Sequence, residues 1–463
     1  MVFSSLTFLF YFLPITLLIY YIVPSKVKNA VICIASLAFY FYGEPKYGIL
    51  MIISILSTYI HGLLIEKYPN QKKKFLISSI FVSLGFLTFF KYTDFIISNI
   101  NMVVNGKIDL LRLSLPIGIS FYTFQMISYI IDVYKGEAKA QKSLLKLATY
   151  VALFPQLIAG PIVRYTTIAS ELDERQHTIE KFSLGVRRFV IGLSKKILIA
   201  NVLGDLINVF GATSEKTVIF YWMYAIAVTL QIYFDFSGYS DMAIGLGKML
   251  GFSFPENFNY PYISKSVTEF WRRWHITLGT WFKDYVYIPL GGNRVSKIKW
   301  IRNIFIVWFL TGLWHGASWN FIIWGVLYGV LLMIEKLGLL KRLEKIPALF
   351  SRVYVMFVVI VGFVIFSSTD LNIALNNILG MFGIGAISII NHDTIYYLLN
   401  YLPIFILGIM FSTPIVKNIV VKIKKKVPTL INFLEPITLG ILLIVCVSFL
   451  VDGSFNPFLY FRF

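Results

Sequence analysis

Two histidines carry the strongest chemical signal in this 463-residue chain. His315 lies in the run Trp308–Phe309–Leu310–Thr311–Gly312–Leu313–Trp314–His315–Gly316–Ala317–Ser318–Trp319. An ionisable group inside so apolar a stretch is costly, and by default marks a functional position. Burial disfavours the imidazolium, and a neutral imidazole can take a proton from an incoming hydroxyl. The competing reading is a hydrogen-bonded packing histidine. Gly312 and Gly316 flank it at helical spacing, which leaves room for a substrate or for a close helix. His275 closes Phe270–Trp271–Arg272–Arg273–Trp274–His275. The segment from there to Asn303 also holds Lys283, Arg294, Lys297, Lys299 and Arg302, and few carboxylates. Arginine forks recognise phosphate well, so Arg272, Arg273 and Lys283 are candidates for holding a phosphate-bearing donor. Plain headgroup-facing charge accounts for Lys297, Lys299 and Arg302. A third polar stretch interrupts a long apolar run. Gln231 and Asp235 share one helix face, as do Ser237 and Asp241. They line a substrate tunnel, or they serve as hydrogen-bond glue between helices.

The elements that position these groups are membrane helices. Side chains are 57% hydrophobic and 14% charged, yet the net charge is +19. Disordered chains are polar and poor in aromatics, whereas aromatics here make up 17%. Two cysteines, Cys33 and Cys446, both in apolar runs, exclude a disulfide scaffold. A nucleic-acid binder would explain the charge but not the apolar bulk. The positive-inside bias of a polytopic membrane protein explains both. Apolar runs suitable for spanning fall at 5–23, 30–42, 46–65, 75–97, 114–134, 186–210, 218–250, 303–334, 353–369, 395–415 and 431–451. The runs are continuous, which excludes a β-barrel, and a span needs about 20 residues. The expectation is therefore an all-α bundle of about 10–12 spans with re-entrant pieces. One such piece is 147–163, interrupted by Pro155 and Pro161. Another break is expected near Gly316–Ser318. Nothing divides the chain into soluble domains, so one integral membrane domain over 1–463 is expected.

The first run lacks a basic leader and a cleavage site, so it reads as a span and not a signal peptide. Lys26 and Lys28 follow it at once and place its far end in the cytosol. Lys72–Lys74, Lys135–Lys146 and the loop from Arg164 to Lys196 then fall on the cytosolic side. Loops near 98–112, 211–217 and 370–394 are nearly free of Lys and Arg and fall outside. Both termini are thereby predicted to be extracellular. No His/Cys ligand spacing, Walker loop, GxGxxG fingerprint or GxSxG elbow occurs, so neither a metal nor a tightly bound cofactor is expected.

Several of these stretches together resemble the membrane-bound O-acyltransferase family, and within it the alginate O-acetylase branch. They are Phe270–His275, Trp281-Phe-Lys-Asp-Tyr-Val-Tyr-Ile-Pro-Leu290, Leu313–Trp319 and Gln231–Asp241. Leu115-Pro-Ile-Gly-Ile-Ser-Phe-Tyr-Thr-Phe-Gln125 and Leu153-Phe-Pro-Gln-Leu-Ile-Ala-Gly-Pro-Ile162 match as well. The matching pieces cover roughly 115–330. The resemblance implies a ring of membrane helices around a tunnel, in a bacterial cell membrane. It implies transfer of an acyl group from a cytosolic thioester, with acetyl-CoA as the expected donor substrate. The family's invariant catalytic histidine matches His315, and its second histidine matches His275. It further implies an extracellular or membrane-tethered polysaccharide acetyltransferase as partner, with a polysaccharide as final acceptor. The related D-alanine transfer proteins of teichoic-acid modification share these motifs and use a carrier protein as donor.

The chain ends Asn456-Pro-Phe-Leu-Tyr-Phe-Arg-Phe463, on the outer face by the same charge bias. An aromatic end of this kind can insert into the outer mouth of a tunnel. Tyr460 is then a candidate acyl relay; an interfacial aromatic anchor is the alternative. Two further readings of the whole chain are a transporter or flippase, and a scaffold for a secreted partner. Transporters often carry inverted repeats, and no repeat is visible here.

Overall fold

The computed structural model describes residues 1–385 and 387–453, and every regular element among them is helical. Among the described residues, seven helices are long and apolar enough to cross a membrane: Gly48–Lys67, Pro69–Lys91, Val218–Met249, Trp319–Leu343, Ala348–Ser367, His392–Phe411 and Pro428–Asp452. The protein is an all-α polytopic membrane bundle. Other expected spans are shorter apolar helices, such as Phe8–Ile22. The run at 114–134 becomes the 17-residue helix Ile119–Lys135. The run at 186–210 is threaded by a π-helical turn over Lys195–Asn201. The chain divides into two compact units: Met1–Phe189 with Ser240–Pro255, and Val190–Tyr239 with the chain from Glu256 onward.

In the first unit, Ile119–Lys135 is buried on nearly every side, with Ser120, Thr123, Gln125, Ser128 and Asp132 buried among its apolar residues. The interrupted stretch 147–163 folds as short helices Leu144–Ala152 and Phe154–Leu157, breaking at Leu153 just before Pro155. It is buried continuously from Thr149 to Val163. Its freed backbone groups find partners: the Phe154 N–H donates to Ser36 Oγ at 3.1 Å, and Gln156 Nε2 donates to the Tyr150 carbonyl at 2.7 Å. Irregular backbone at membrane depth is tolerated under those conditions. Asp241 belongs to this unit and is clamped by Arg188, through Nε at 3.0 Å and Nη2 at 2.8 Å.

The second unit holds both histidine motifs. The helix Lys297–His315 ends at His315, and the next begins at Trp319, so the expected break lies at Gly316–Ser318. The two helices pack unusually closely. A Cβ on Gly312 would lie 2.4 Å from the Phe321 carbonyl oxygen, and one on Gly325 would lie 2.4 Å from that of Trp308. The glycine spacing around His315 therefore serves a close helix; it does not leave open space for a substrate. A core of Trp324, Tyr328, Val355, Val359 and Phe363 fills in behind. On the long helix Val218–Met249, Asp235 forms a fully buried ion pair with Lys196 of the π-helical turn. Gly238 permits that approach, since a Cβ there would stand 2.8 Å from the Gly192 carbonyl.

Candidate active site

The second unit contains a cavity of about 1150 Å³. Its walls come from the short helices Val267–Arg273 and Ile276–Phe282, the loop at 287–294 and the middle of the Lys297–His315 helix. Four cations line it: Arg272, Lys283, Arg294 and Lys336. None makes an ion pair with a carboxylate among the described residues. Lys336 instead sits over the Tyr287 and Trp300 rings, at 6.0 and 5.8 Å. Four cations in one concave wall without acidic partners create a site for a polyanion. The cavity is also lined by the apolar side chains of Trp271, Trp274, Trp308 and Val307. A ligand that combines phosphates with an apolar or thioester-bearing tail fits such a lining.

Two carboxylate and amide anchors fix this wall, and neither was legible as functional from sequence. Glu335 is fully buried. Its carboxylate accepts from the Val267 N–H at 2.6 Å, the Thr268 N–H at 2.8 Å and Thr268 Oγ1 at 2.7 Å. An acidic group on free N–H groups caps the helix that carries Trp271 and Arg272. Asn257 does the same for His275. Its Oδ1 accepts from the Thr277 N–H at 3.3 Å and Thr277 Oγ1 at 2.9 Å, and lies 3.1 Å from His275 Nδ1. A backbone N–H can only donate, so the shared atom is an oxygen and His275 Nδ1 carries the proton. The neutral ring then presents a bare Nε2. That atom is buried and has no partner among the described residues. The backbone at His275 is left-handed (φ 45°), a conformation side chains other than Gly rarely adopt. The Asn257 contacts, with the Ile276 N–H donating to the Asn257 carbonyl at 3.0 Å, hold it there.

Burial pushes the His275 imidazole down to about 3. It stays neutral throughout the physiological range and accepts a hydrogen bond without storing the proton. Its protonation therefore produces no acid limb in the activity profile between pH 5 and 8. Asn257→Asp places a carboxylate against Nδ1, which favours the imidazolium. The expected outcome is a new loss of activity on the acid side of the pH profile, where the raised His275 pKa titrates. A profile that keeps the wild-type shape contradicts the assignment.

His315 lies beyond the cavity wall, 4% exposed. Its ring meets Trp314 at 5.0 Å, Trp324 at 5.1 Å and Phe366 at 5.2 Å. Trp314 in turn stands 5.9 Å from the His275 ring. The two histidines are thus brought to one aromatic layer, with His275 on the cavity side. Arg272 and Lys283 line the cavity. Arg273 is instead engaged by Glu269 Oε1 at 2.9 Å and donates to the Asn259 carbonyl at 3.1 Å. Asp235 and Asp241 are occupied by Lys196 and Arg188. Gln231 is half-buried, and Ser237 is buried with its Oγ unpartnered among the described residues. Tyr460 lies outside the described residues. No group of three His, Cys, Asp or Glu side chains suited to a metal occurs among those described.

Comparison with known proteins shows the family of this chain. The model of the membrane-bound O-acyltransferase family matches residues 137–376, a stretch that contains both histidine motifs and the cavity. The chain is 43% identical over 393 residues to a probable alginate O-acetylase of Azotobacter vinelandii, covering 83% of this chain and 79% of the relative. It is 35% identical over 427 residues to the peptidoglycan O-acetyltransferase of Helicobacter pylori, covering 84% and 81%. The teichoic acid D-alanyltransferase of Bacillus subtilis is 32% identical over 230 residues, covering 47% and 58%. The family model spans half of the chain and two of these relatives align over most of their length, so this protein belongs to the membrane-bound O-acyltransferase family.

Proposed function

We propose that this chain carries an acetyl group from a cytosolic thioester donor, acetyl-CoA, across the membrane for O-acetylation of an extracellular or cell-wall polysaccharide. The observation that carries this reading is the cavity. Four cations without an ion-pair partner among the described residues stand at its walls, and His275 of its lining is joined to His315 through the Trp314 ring. Coenzyme A brings several phosphates and a long thiol-bearing arm, which match the charge and the depth. His315 acts as general base: it takes the proton of the acceptor hydroxyl as that oxygen adds to the thioester carbonyl carbon. The carbon–sulfur bond then breaks, and the departing thiolate receives the proton back from the imidazolium. His275, locked neutral by Asn257, accepts a hydrogen bond from the donor in the cavity. The charge bias of the loops supports a reading with both termini outside and the cavity on the cytosolic side. A separate extracellular or membrane-tethered acetyltransferase then collects the acyl group, and Tyr460 is the proposed relay. The homology to D-alanyl transferases is shorter, and the longer alignments are to O-acetylating relatives, so acetyl is the group proposed.

The test is the acetyl content of the polymer. Removing this chain from its host is expected to eliminate base-labile acetate from the extracellular polysaccharide, with restoration on complementation. Unchanged acetate would overturn the proposal. Complementation with Tyr460→Phe is expected to leave the polymer unacetylated, and full acetylation would remove the relay from it.

A further inference from the structure

We infer that the indole N–H groups of Trp271 and Trp324 bind the carbonyl oxygen of the acyl thioester and hold the oxyanion formed as the hydroxyl adds. This rests on the acyl-transfer reading above and assigns the electrophilic half of the same site. Trp271 comes from the helix Val267–Arg273, and its ring lines the cavity. Trp324 comes from the helix that follows His315. Their ring centroids are 5.5 Å apart and nearly perpendicular, and the Trp324 ring is 5.1 Å from that of His315. The pair therefore spans the wall between the donor cavity and the base.

Both Nε1 atoms are buried, and neither finds an acceptor among the described residues. An indole N–H is a donor only, and native proteins seldom leave buried donors unpaired. The surroundings offer aromatic rings: Trp308 at 4.7 Å and Tyr328 at 4.9 Å from Trp271, and Phe366 at 5.1 Å from Trp324. Resting over a ring face is the weak alternative for such an N–H. A ligand carbonyl oxygen satisfies both donors, and does so more strongly once it carries charge. During addition the hydroxyl oxygen bonds to the carbonyl carbon, and the carbonyl π pair moves onto its oxygen. That oxygen, held by the two N–H groups, returns the pair as the thiolate leaves. Preorganised donors aimed at developing negative charge are among the strongest catalytic devices. The layer thereby divides its labour: His315 handles the proton, and the indoles handle the charge.

The experiment replaces the Trp324 indole, and separately that of Trp271, with the benzothiophene isostere 3-benzothienylalanine. This keeps the ring shape and packing and removes only the N–H. Each purified full-length variant is assayed for thiol release from acetyl-CoA, with its thermal unfolding midpoint measured alongside. The expected result is a kcat lowered about 100-fold, with donor KM and unfolding midpoint nearly unchanged. Wild-type kcat in both isosteres overturns the inference and leaves the indoles as packing over ring faces. His315→Ala, run in the same assay, separates the two levels. Active isosteres beside an inactive His315→Ala remove only the oxyanion assignment; an active His315→Ala removes the acyl-transfer reading itself.

Discussion

His315→Ala abolishes polymer acetylation while leaving the protein in the membrane at its normal level. The expected loss is about 10²–10⁴-fold, the usual contribution of a positioned general base. The reason lies in the surroundings of the residue. It ends the helix Lys297–His315 at a chain break, buried against Trp314, Trp324 and Phe366. Substitution by alanine leaves the Gly312–Gly325 helix contact intact, so the fold has no strong reason to fail. His315→Gln separates shape from chemistry further, since it fills the space and cannot take a proton at neutral pH. Normal acetylation by either variant would mean that the proton is taken elsewhere.

The second large effect concerns the donor. Arg272→Ala combined with Lys336→Ala removes two of the four cavity cations, neither of which is paired with a carboxylate among the described residues. A hydrogen bond to a charged group contributes about 1.5–3 kcal/mol, and a tenfold change in affinity needs about 1.4 kcal/mol. The double variant is therefore expected to raise the donor KM at least tenfold per charge removed, with a much smaller change in kcat. That pattern marks binding made equally in the ground and transition states. The wild-type KM should also rise with ionic strength, because the cavity mouth is open to screening. Arg273→Ala makes the control. It breaks the bonds to Glu269 and Asn259 and should act on stability, with donor KM nearly unchanged. An unaltered donor KM in the double variant would mean that the cavity holds no phosphates.

Much of this site was legible in the sequence because membranes make certain residues expensive. A histidine in an apolar run and arginines between tryptophans stand out against 57% hydrophobic composition. The break at Gly316–Ser318 and the interrupted stretch 147–163 were legible for the same reason, since glycine and proline punctuate otherwise continuous helices. What stayed hidden depends on distance in three dimensions. Glu335 reads as the charged end of a span, yet its carboxylate caps a helix 67 residues earlier in the chain. Asn257 reads as a loop residue, yet it fixes the His275 tautomer. Asp235 and Asp241 were visible as polar, but only the fold reveals that Lys196 and Arg188 neutralise them. Gly312 and Gly316 were visible as small, and the structure decides between their two uses in favour of helix packing. Lys336 and Arg294 were lost among positive-inside charges until the cavity gathered them.

The central claim is that an acyl group passes through this chain from a cytosolic thioester to a hydroxyl on the opposite face. Sealed inside-out membrane vesicles test it, with [14C]acetyl-CoA supplied to the outward-facing cytosolic side. The label is counted on polysaccharide enclosed in the lumen. The account predicts luminal label with the wild-type chain and none with His315→Ala. An unlabelled lumen with the wild-type chain, or equal label with the variant, would contradict it.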